Sequence, residues 1–389
     1  LRDARWLTAR RAAVYGALLA LLPAFYLFAG FVRVFAADGV GAPTDFLSFY
    51  TASVLALDGR PVDAWDLQQH GAVQQAIMPS GRLPFFYPPP FLLLCLPLAL
   101  LSYKVAFGLW VLITGGAFVA ILSRYRVLPW PAIIALVAFS PATLLVAVAG
   151  QTGFVTASLF AAAGLTLDRR PMAAGALIAT LAFKPQLGLV VLPALLVGRR
   201  WQVIAFAVAT GIGWVALSSM VLGWESWTAF ASALRVAGEG LSGDGVVPLW
   251  QVQSLFASLQ LLGAPRGVAM GVHLVVALGA VAAALWVVTR RPGGQGEVAA
   301  MAAAAPLVTP YVFVYDLPIL LVPMFWCLAQ ARQAGFLAWE KFALATAIIL
   351  PAPTMYIGQT FGISLGPIPA AIVLALVLRR AGILARRTA

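Results

Sequence analysis

Cysteine and histidine are almost absent from this chain, two of each in 389 residues. Cys95 and Cys327 each sit inside an apolar run, so neither a disulfide framework nor a zinc site can be assembled from them. His70 and His273 stand alone, with no second ligand at metal spacing, which points to a surface role for the first and a packed role for the second. Acid is scarce too, thirteen Asp and Glu in all, and charged residues of both signs make up only 10% of the chain. No nucleotide-binding pattern or glycine-rich phosphate loop is present, and no metal or cofactor is expected.

What fills the space is apolar: 62% hydrophobic residues and a mean hydropathy of +0.95, more than a soluble domain needs for its core. These values describe an all-α polytopic membrane protein forming a single integral-membrane domain over residues 1–389. In a soluble chain the net charge of +12 would suggest nucleic acid. Here the basic residues fall in short clusters between apolar spans, where they set membrane orientation, so nucleic acid is discarded as a partner. The chain starts at Leu1, and its first apolar segment, residues 12–36, is longer than the core of a signal peptide and reads as a membrane anchor.

Apolar stretches that could contribute spans are residues 12–36, 88–101, 104–122, 127–149, 153–167, 171–183, 186–198, 203–222, 267–288, 298–314, 317–329, 342–356 and 367–380. Several are short, so some are half-helices, tilted or re-entrant. Arg2, Arg5, Arg10 and Arg11, the pairs at 169–170, 199–200 and 290–291, Arg332 with Lys341, and the cluster at 379–387 can all be placed inside, with both termini. Lys104 and the pair Arg124 and Arg126 flank one span on both sides. That conflict, and the odd number of stretches, imply that one segment between 88 and 149 is not a simple crossing, leaving about twelve. The outer side then carries an acidic loop, residues 37–84, and a second large loop, residues 223–266. In the first, Asp38, Asp45, Asp58, Asp63 and Asp66 oppose only Arg60 and Arg82, five acids against two bases for a local charge of −3.

Within the acidic loop, residues 43–57 (PTDFLSFYTASVLAL) and 62–77 (VDAWDLQQHGAVQQAI) read as two helices lying on the membrane surface, with Thr44 a possible cap of the first. Asp45 is either a solvated or helix-capping carboxylate or a catalytic one; Asp63 and Asp66 are expected to cap the second helix. Lys184, in FKPQ at 183–186, lies in apolar sequence, where an ammonium either snorkels to the interface or serves a purpose such as binding phosphate. Pro185 beside it breaks the helix. Gln151, in GQTG at 150–153, is a loop apex or an amide offered to a sugar hydroxyl. Asp316, in TPYVFVYD at 309–316, either pairs with a cation in the bundle or reaches headgroup water. Trp224, Trp227 and Trp250 suit an interfacial belt or sugar platforms. In FFYPPPFLLLCLPLALL, residues 85–101, the three prolines should make a stiff extended lead-in to a helix. Phe85, Phe86 and Tyr87 then lie at interface depth, as a belt or as a wall for a lipid.

Taken in order, DFLSFYTASVLALDGRPVDAWD, FFYPPPFLLLCLPLALL, GQTG, GALIATLAFKPQLGLVVLPALLVGRRW, QSLFASLQLLG and LVTPYVFVYDLPIL resemble the membrane glycosyltransferases of family 87. That group is polyprenol-phosphate-mannose-dependent and alpha-mannosyltransferase-like, and has the C-type glycosyltransferase fold. The resemblance implies a polyprenyl-phosphate sugar donor, a lipid or glycan acceptor, and transfer on the extracytoplasmic face of a membrane, the bacterial inner membrane first among candidates. It implies Asp45 as the base; the site expected around it has Lys184 and Arg82 as donor-phosphate ligands and Tyr50, Tyr87, Gln151, Gln186, Gln253, Tyr311, Tyr315 and Asp316 as substrate-binding residues. The late motif departs from the family's P-x-x-x-H-Y pattern: Pro310 is followed by Tyr311, Tyr315 and Asp316, with no histidine.

The chemistry of such a transfer sets two requirements. A base must take the proton of the acceptor hydroxyl, and positive charge must stand where the leaving phosphate gains charge. Asp45 and Lys184 fit these roles, and a single displacement would invert the anomeric centre. The alternative from another class is a transporter or flippase of a lipid-linked sugar, which also uses broken helices and buried charges. No internal repeat supports it.

Overall fold

A computed structural model describes residues 44–240 and 248–388 together with scattered residues between 2 and 32. Most of the first apolar stretch, 12–36, lies outside the described residues, as do Asp38 and residues 241–247 of the second large loop.

The described regular structure is helical, with one isolated antiparallel bridge between Val252 and Phe313. Five helices are long and apolar enough to cross a membrane: Tyr103–Ser123, Trp201–Leu222, Arg266–Thr289, Val314–Ala334 and Pro367–Ala385. Two bent pairs bring the number to seven, Trp130–Phe139 with Pro141–Ala149 at 68° and Glu340–Ile349 with Pro351–Phe361 at 55°. Proline causes both bends. Pro141 and Pro351 each open the second helix of their pair, and a proline both lacks the N–H that would continue the ladder and clashes with the preceding turn. The same device acts at Pro185. Lys184 leaves the helical region (φ −130°, ψ 70°), so the helix Pro171–Thr180 with its 3₁₀ extension Leu181–Phe183 is severed from Pro185–Gly188.

The centre of the bundle is built from Val314–Ala334 and Gly294–Val308. The second has six alanines and two glycines among its fifteen residues and is almost wholly buried, so small side chains let neighbouring helices approach closely. A smaller, aromatic core of Phe46, Phe49, Trp65, Phe85, Phe91, Phe107 and Phe183 lies beside this centre.

Helix Phe46–Leu57 is central to that aromatic core. Eight of its twelve residues are buried against the rest of the protein. The reason is compositional: FLSFYTASVLAL has apolar residues all round and no charged face, the mark of an internal helix. The second expected helix is divided into a 3₁₀ turn, Pro61–Trp65, and Leu67–Ile77. Asp66 caps the latter by accepting from the Gln68 and Gln69 N–H groups at 2.8 and 2.9 Å, whereas Asp63 pairs with Arg60 at 2.5 Å. His70 is not on the surface. It is buried, with Nε2 3.2 Å from the Ser48 carbonyl, and burial pushes it down to about 4. His273 is packed, its Nε2 3.3 Å from the Val308 carbonyl.

Only Pro88 of the proline triplet is extended; Pro89 and Pro90 are the first turn of helix Pro89–Cys95, where missing N–H groups cost nothing. That helix and the 3₁₀ turn Leu96–Leu100 fold back on one neighbour. Phe91 packs on Phe49 at 5.1 Å, Ser53 Oγ donates to the Cys95 carbonyl at 2.9 Å, and Tyr50 hydroxyl donates to the Leu101 carbonyl at 2.9 Å. Residues 88–101 therefore begin and end beside the same two turns of Phe46–Leu57. The conflict over Lys104 disappears with this. Helix Tyr103–Ser123 starts where Tyr103 hydroxyl meets Thr44 Oγ1 at 3.0 Å, and the chain beyond its other end offers the Arg126 carbonyl to Arg332 NH1 at 2.7 Å. Lys104 and Arg124 thus occupy opposite ends of one helix.

The end marked by Arg126 and Arg332 also holds two ionic clasps. Arg200 donates to both oxygens of Glu297 at 3.1 and 2.7 Å and to Asp168 at 2.7 Å, while Asp168 accepts from the Gly294 N–H at 2.7 Å. Buried Arg380 grips buried Glu340 through Nε at 2.7 Å and through a second contact from its NH2.

Candidate active site

The opposite end gathers polar side chains from four distant segments. Asp45 precedes helix Phe46–Leu57, yet its carboxylate makes no capping bond. Oδ2 instead accepts from Gln151 Nε2 at 3.0 Å. Oδ1 has no hydrogen-bond partner among the described residues. Gln151 is held from three sides, because its Oε1 also accepts from Tyr87 hydroxyl at 3.1 Å and from the Thr152 N–H at 2.9 Å. Tyr87 in turn is fixed by aromatic contacts, with Phe91 at 4.5 Å and Phe49 at 5.1 Å, and its carbonyl accepts from Trp65 Nε1 at 2.9 Å.

Across the cluster, buried Lys184 donates from Nζ to buried Asp316 Oδ1 at 2.6 Å. Asp316 Oδ2 accepts from the Phe313 N–H at 3.1 Å, and the Tyr315 ring centroid lies 5.1 Å from Nζ. Tyr315 stacks on Phe313 at 5.0 Å. The charges of Lys184, Asp316 and Asp45 all act on Tyr87, so the two halves form one electrostatic unit.

Glycine makes that unit possible. Gly150 ends helix Pro141–Ala149 in the left-handed conformation (φ +64°), and a Cβ there would lie 2.6 Å from Phe46 Cβ and 2.8 Å from the Phe107 ring. A Cβ on Gly153 would run into the Tyr315 carbonyl oxygen. GQTG is thus wedged between the residue after Asp45 and the residue before Asp316, and it presents Gln151 between them.

Burial pushes the Asp45 carboxyl above the usual carboxylate range, and the Gln151 hydrogen bond and the Lys184 charge pull it partly back. Burial likewise pushes the Tyr87 phenol up, which keeps it a donor. A carboxylate with one free oxygen, an anchored amide, a phenol and an ammonium can together take a proton from a hydroxyl and meet an anion.

The other expected site residues lie outside this hydrogen-bonded unit. Arg82 is exposed and its guanidinium meets the Gln75 amide oxygen, with Nε at 2.9 Å once that amide is oriented to accept. Tyr50 packs on Tyr103 at 5.4 Å and donates to Leu101. Gln186 is half-buried and has no hydrogen-bond partner among the described residues. Tyr311 packs near Phe256 at 6.3 Å. Gln253 is a fastener: its Oε1 accepts from Thr354 at 3.0 Å, its N–H donates to the Val312 carbonyl at 2.6 Å, and Gly366 presses on its backbone. Phe85 is buried inside the aromatic core. Sequence reading offered Thr44 only as a helix cap and missed Tyr103, whose hydroxyl bonds Thr44 and seats the Asp45 turn, and it missed the seating role of Gly153. The paired glycines of GQTG were the available signal for the second.

An all-helical chain with several apolar spanning helices and a polar cluster gathered at one end is an integral membrane protein with an enzyme-like site. Comparison with known families gives the class of reaction: the model of glycosyltransferase family 87 matches residues 85–310, more than half of the chain. The chain belongs to that family and is a membrane glycosyltransferase, and membership implies the C-type fold. The match includes Tyr87, Gln151 and Lys184, while Asp45 and Asp316 lie beyond its two ends. No curated protein matches the chain, and no solved structure does.

Proposed function

We propose that this protein transfers a hexose, with mannose the first candidate, from a polyprenyl-phosphate donor to a lipid or glycan acceptor on the extracytoplasmic face. Asp45 takes the proton of the acceptor hydroxyl, and Lys184 receives the phosphate as its charge grows. Gln151 and Tyr87 hold Asp45 in position. The observation that carries this reading is the meeting of Asp45 and the Lys184–Asp316 pair around GQTG in a chain of glycosyltransferase family 87. A carboxylate with one free oxygen and an ammonium set to one side of it match the two demands of a single displacement at an anomeric carbon.

The topology is proposed on the same footing. To the five long helices and the two bent pairs the proposal adds the shorter apolar helices Gly153–Thr166, Pro171–Phe183, Pro185–Val197 and Gly294–Val308 as crossings, which makes eleven. Residues 12–36 would supply a twelfth. The arginine-rich end is then cytoplasmic, and the cluster faces out.

The test is product stereochemistry with donor choice. Purified protein given polyprenyl-phosphate mannose and a mannolipid acceptor should form a glycoside whose anomeric configuration, read by NMR, is opposite to that of the donor. Retention of configuration, or transfer from a nucleotide sugar alone, would overturn the proposal.

A further inference from the structure

Lys184 is already in contact with an anion of the protein's own. Its Nζ lies 2.6 Å from Asp316 Oδ1, and both side chains are almost wholly buried. The carboxylate cannot easily swing aside, because Oδ2 is held by the Phe313 N–H and the Tyr315 carbonyl next to it is the seat of Gly153. Lys184 is fixed as well, between the 3₁₀ turn Leu181–Phe183 and Pro185. Its two remaining Nζ protons have no acceptor among the described residues. A phosphate that takes them comes to rest a few ångströms from a stationary negative charge, in surroundings that screen poorly.

In the proposed transfer the bond from the anomeric carbon to the phosphate oxygen breaks and its electron pair stays on that oxygen. The acceptor oxygen bonds to the anomeric carbon, and the acceptor proton passes to Asp45. The donor is a phosphodiester with one negative charge; the product is a phosphomonoester that carries nearly two at neutral pH. An unopposed buried ammonium would hold the product more tightly than the donor and slow its departure, a common limit on turnover.

Accepting Lys184 as the seat of the donor phosphate, we propose that Asp316 offsets its charge so that the more negative product is not retained. Asp316 is then a positioning and charge-selecting residue and does not bind the sugar. Through its two remaining protons Lys184 still meets the phosphate oxygen at short range as that oxygen gains charge, while the fixed Asp316 carboxylate opposes most of the added attraction that the dianionic product would otherwise feel.

Product inhibition by a short-chain polyprenyl phosphate, compared with its methyl ester, reads this directly. The wild type should bind the two within about threefold of each other. Asp316→Asn should tighten the phosphate by at least about tenfold and change the ester less, the size that one uncompensated charge readily produces. Its kcat should fall while the donor KM does not rise, and Asp316→Glu should keep the wild-type ratio. If Asp316→Asn weakens both inhibitors alike and raises the donor KM, Asp316 merely holds Lys184 and the proposal fails. Should that variant not fold, the wild type decides alone: a phosphate bound ten times more tightly than its ester contradicts the proposal. Lys184→Met separates this from the underlying reading. Unchanged phosphate inhibition in that variant would remove Lys184 from the phosphate seat itself, whatever Asp316 does.

Discussion

Asp45 has one oxygen engaged by Gln151 and the other open. As the proposed base it acts only when ionised, so activity should fall as pH drops through a value above the ordinary aspartate range. The Gln151 amide favours the ionised form; removing it raises the proton affinity further. Gln151→Ala should therefore shift the acid limb of the kcat/KM profile to higher pH, measured against wild type in the same detergent. An unshifted limb would detach Gln151 from Asp45. The sequence made Asp45, Lys184 and Asp316 conspicuous because charges are costly among apolar residues. It could not pair them, since the Lys184–Asp316 contact joins positions 132 residues apart. Nor could it show that Arg82 bonds Gln75 and Gln253 bonds Thr354, outside the hydrogen-bonded cluster.

At the scale of elements, the wedge made by GQTG joins the two halves of the cluster. Gly153→Ala places a methyl against the Tyr315 carbonyl, a backbone atom that cannot rotate away. The expected cost is about 1–3 kcal/mol, seen as a lower thermal midpoint, together with lost transfer because Gln151 and Asp316 are displaced together. A variant of unchanged stability and activity would contradict the wedge. The glycines were legible as a turn, but what they press against was not, because local sequence carries no record of the facing segment. The proline triplet was legible as a helix start. That residues 88–101 fold back was legible only as a conflict in the count of crossings, and the contacts with Phe49, Tyr50 and Ser53 resolve it. Helix Phe46–Leu57 was legible as a helix from its apolar spacing, but not the extent of its burial, which depends on the facing aromatic segments.

The whole molecule is polarised, with the carboxylate and ammonium cluster at one end and ionic clasps at the other. Removing one partner of the buried Arg380–Glu340 clasp strands a charge, so Arg380→Met should cost about 3–5 kcal/mol in thermal unfolding without altering the pH profile of transfer. Ser102 and Arg124 are both exposed near opposite ends of Tyr103–Ser123, while Cys95 and Cys327 are buried. Ser102→Cys and Arg124→Cys should therefore be labelled by an impermeant maleimide from opposite faces of sealed vesicles; labelling from the same face would break the proposed topology. The class of molecule was plain in composition alone, and the family in its ordered motifs. Most directly, wild type and Asp45→Asn should be compared for transfer of a labelled hexose from a polyprenyl-phosphate donor. The account predicts that wild type moves the label and frees an equal amount of polyprenyl phosphate, with the variant slower by about 10²–10⁴-fold. Transfer by Asp45→Asn at the wild-type rate would contradict it.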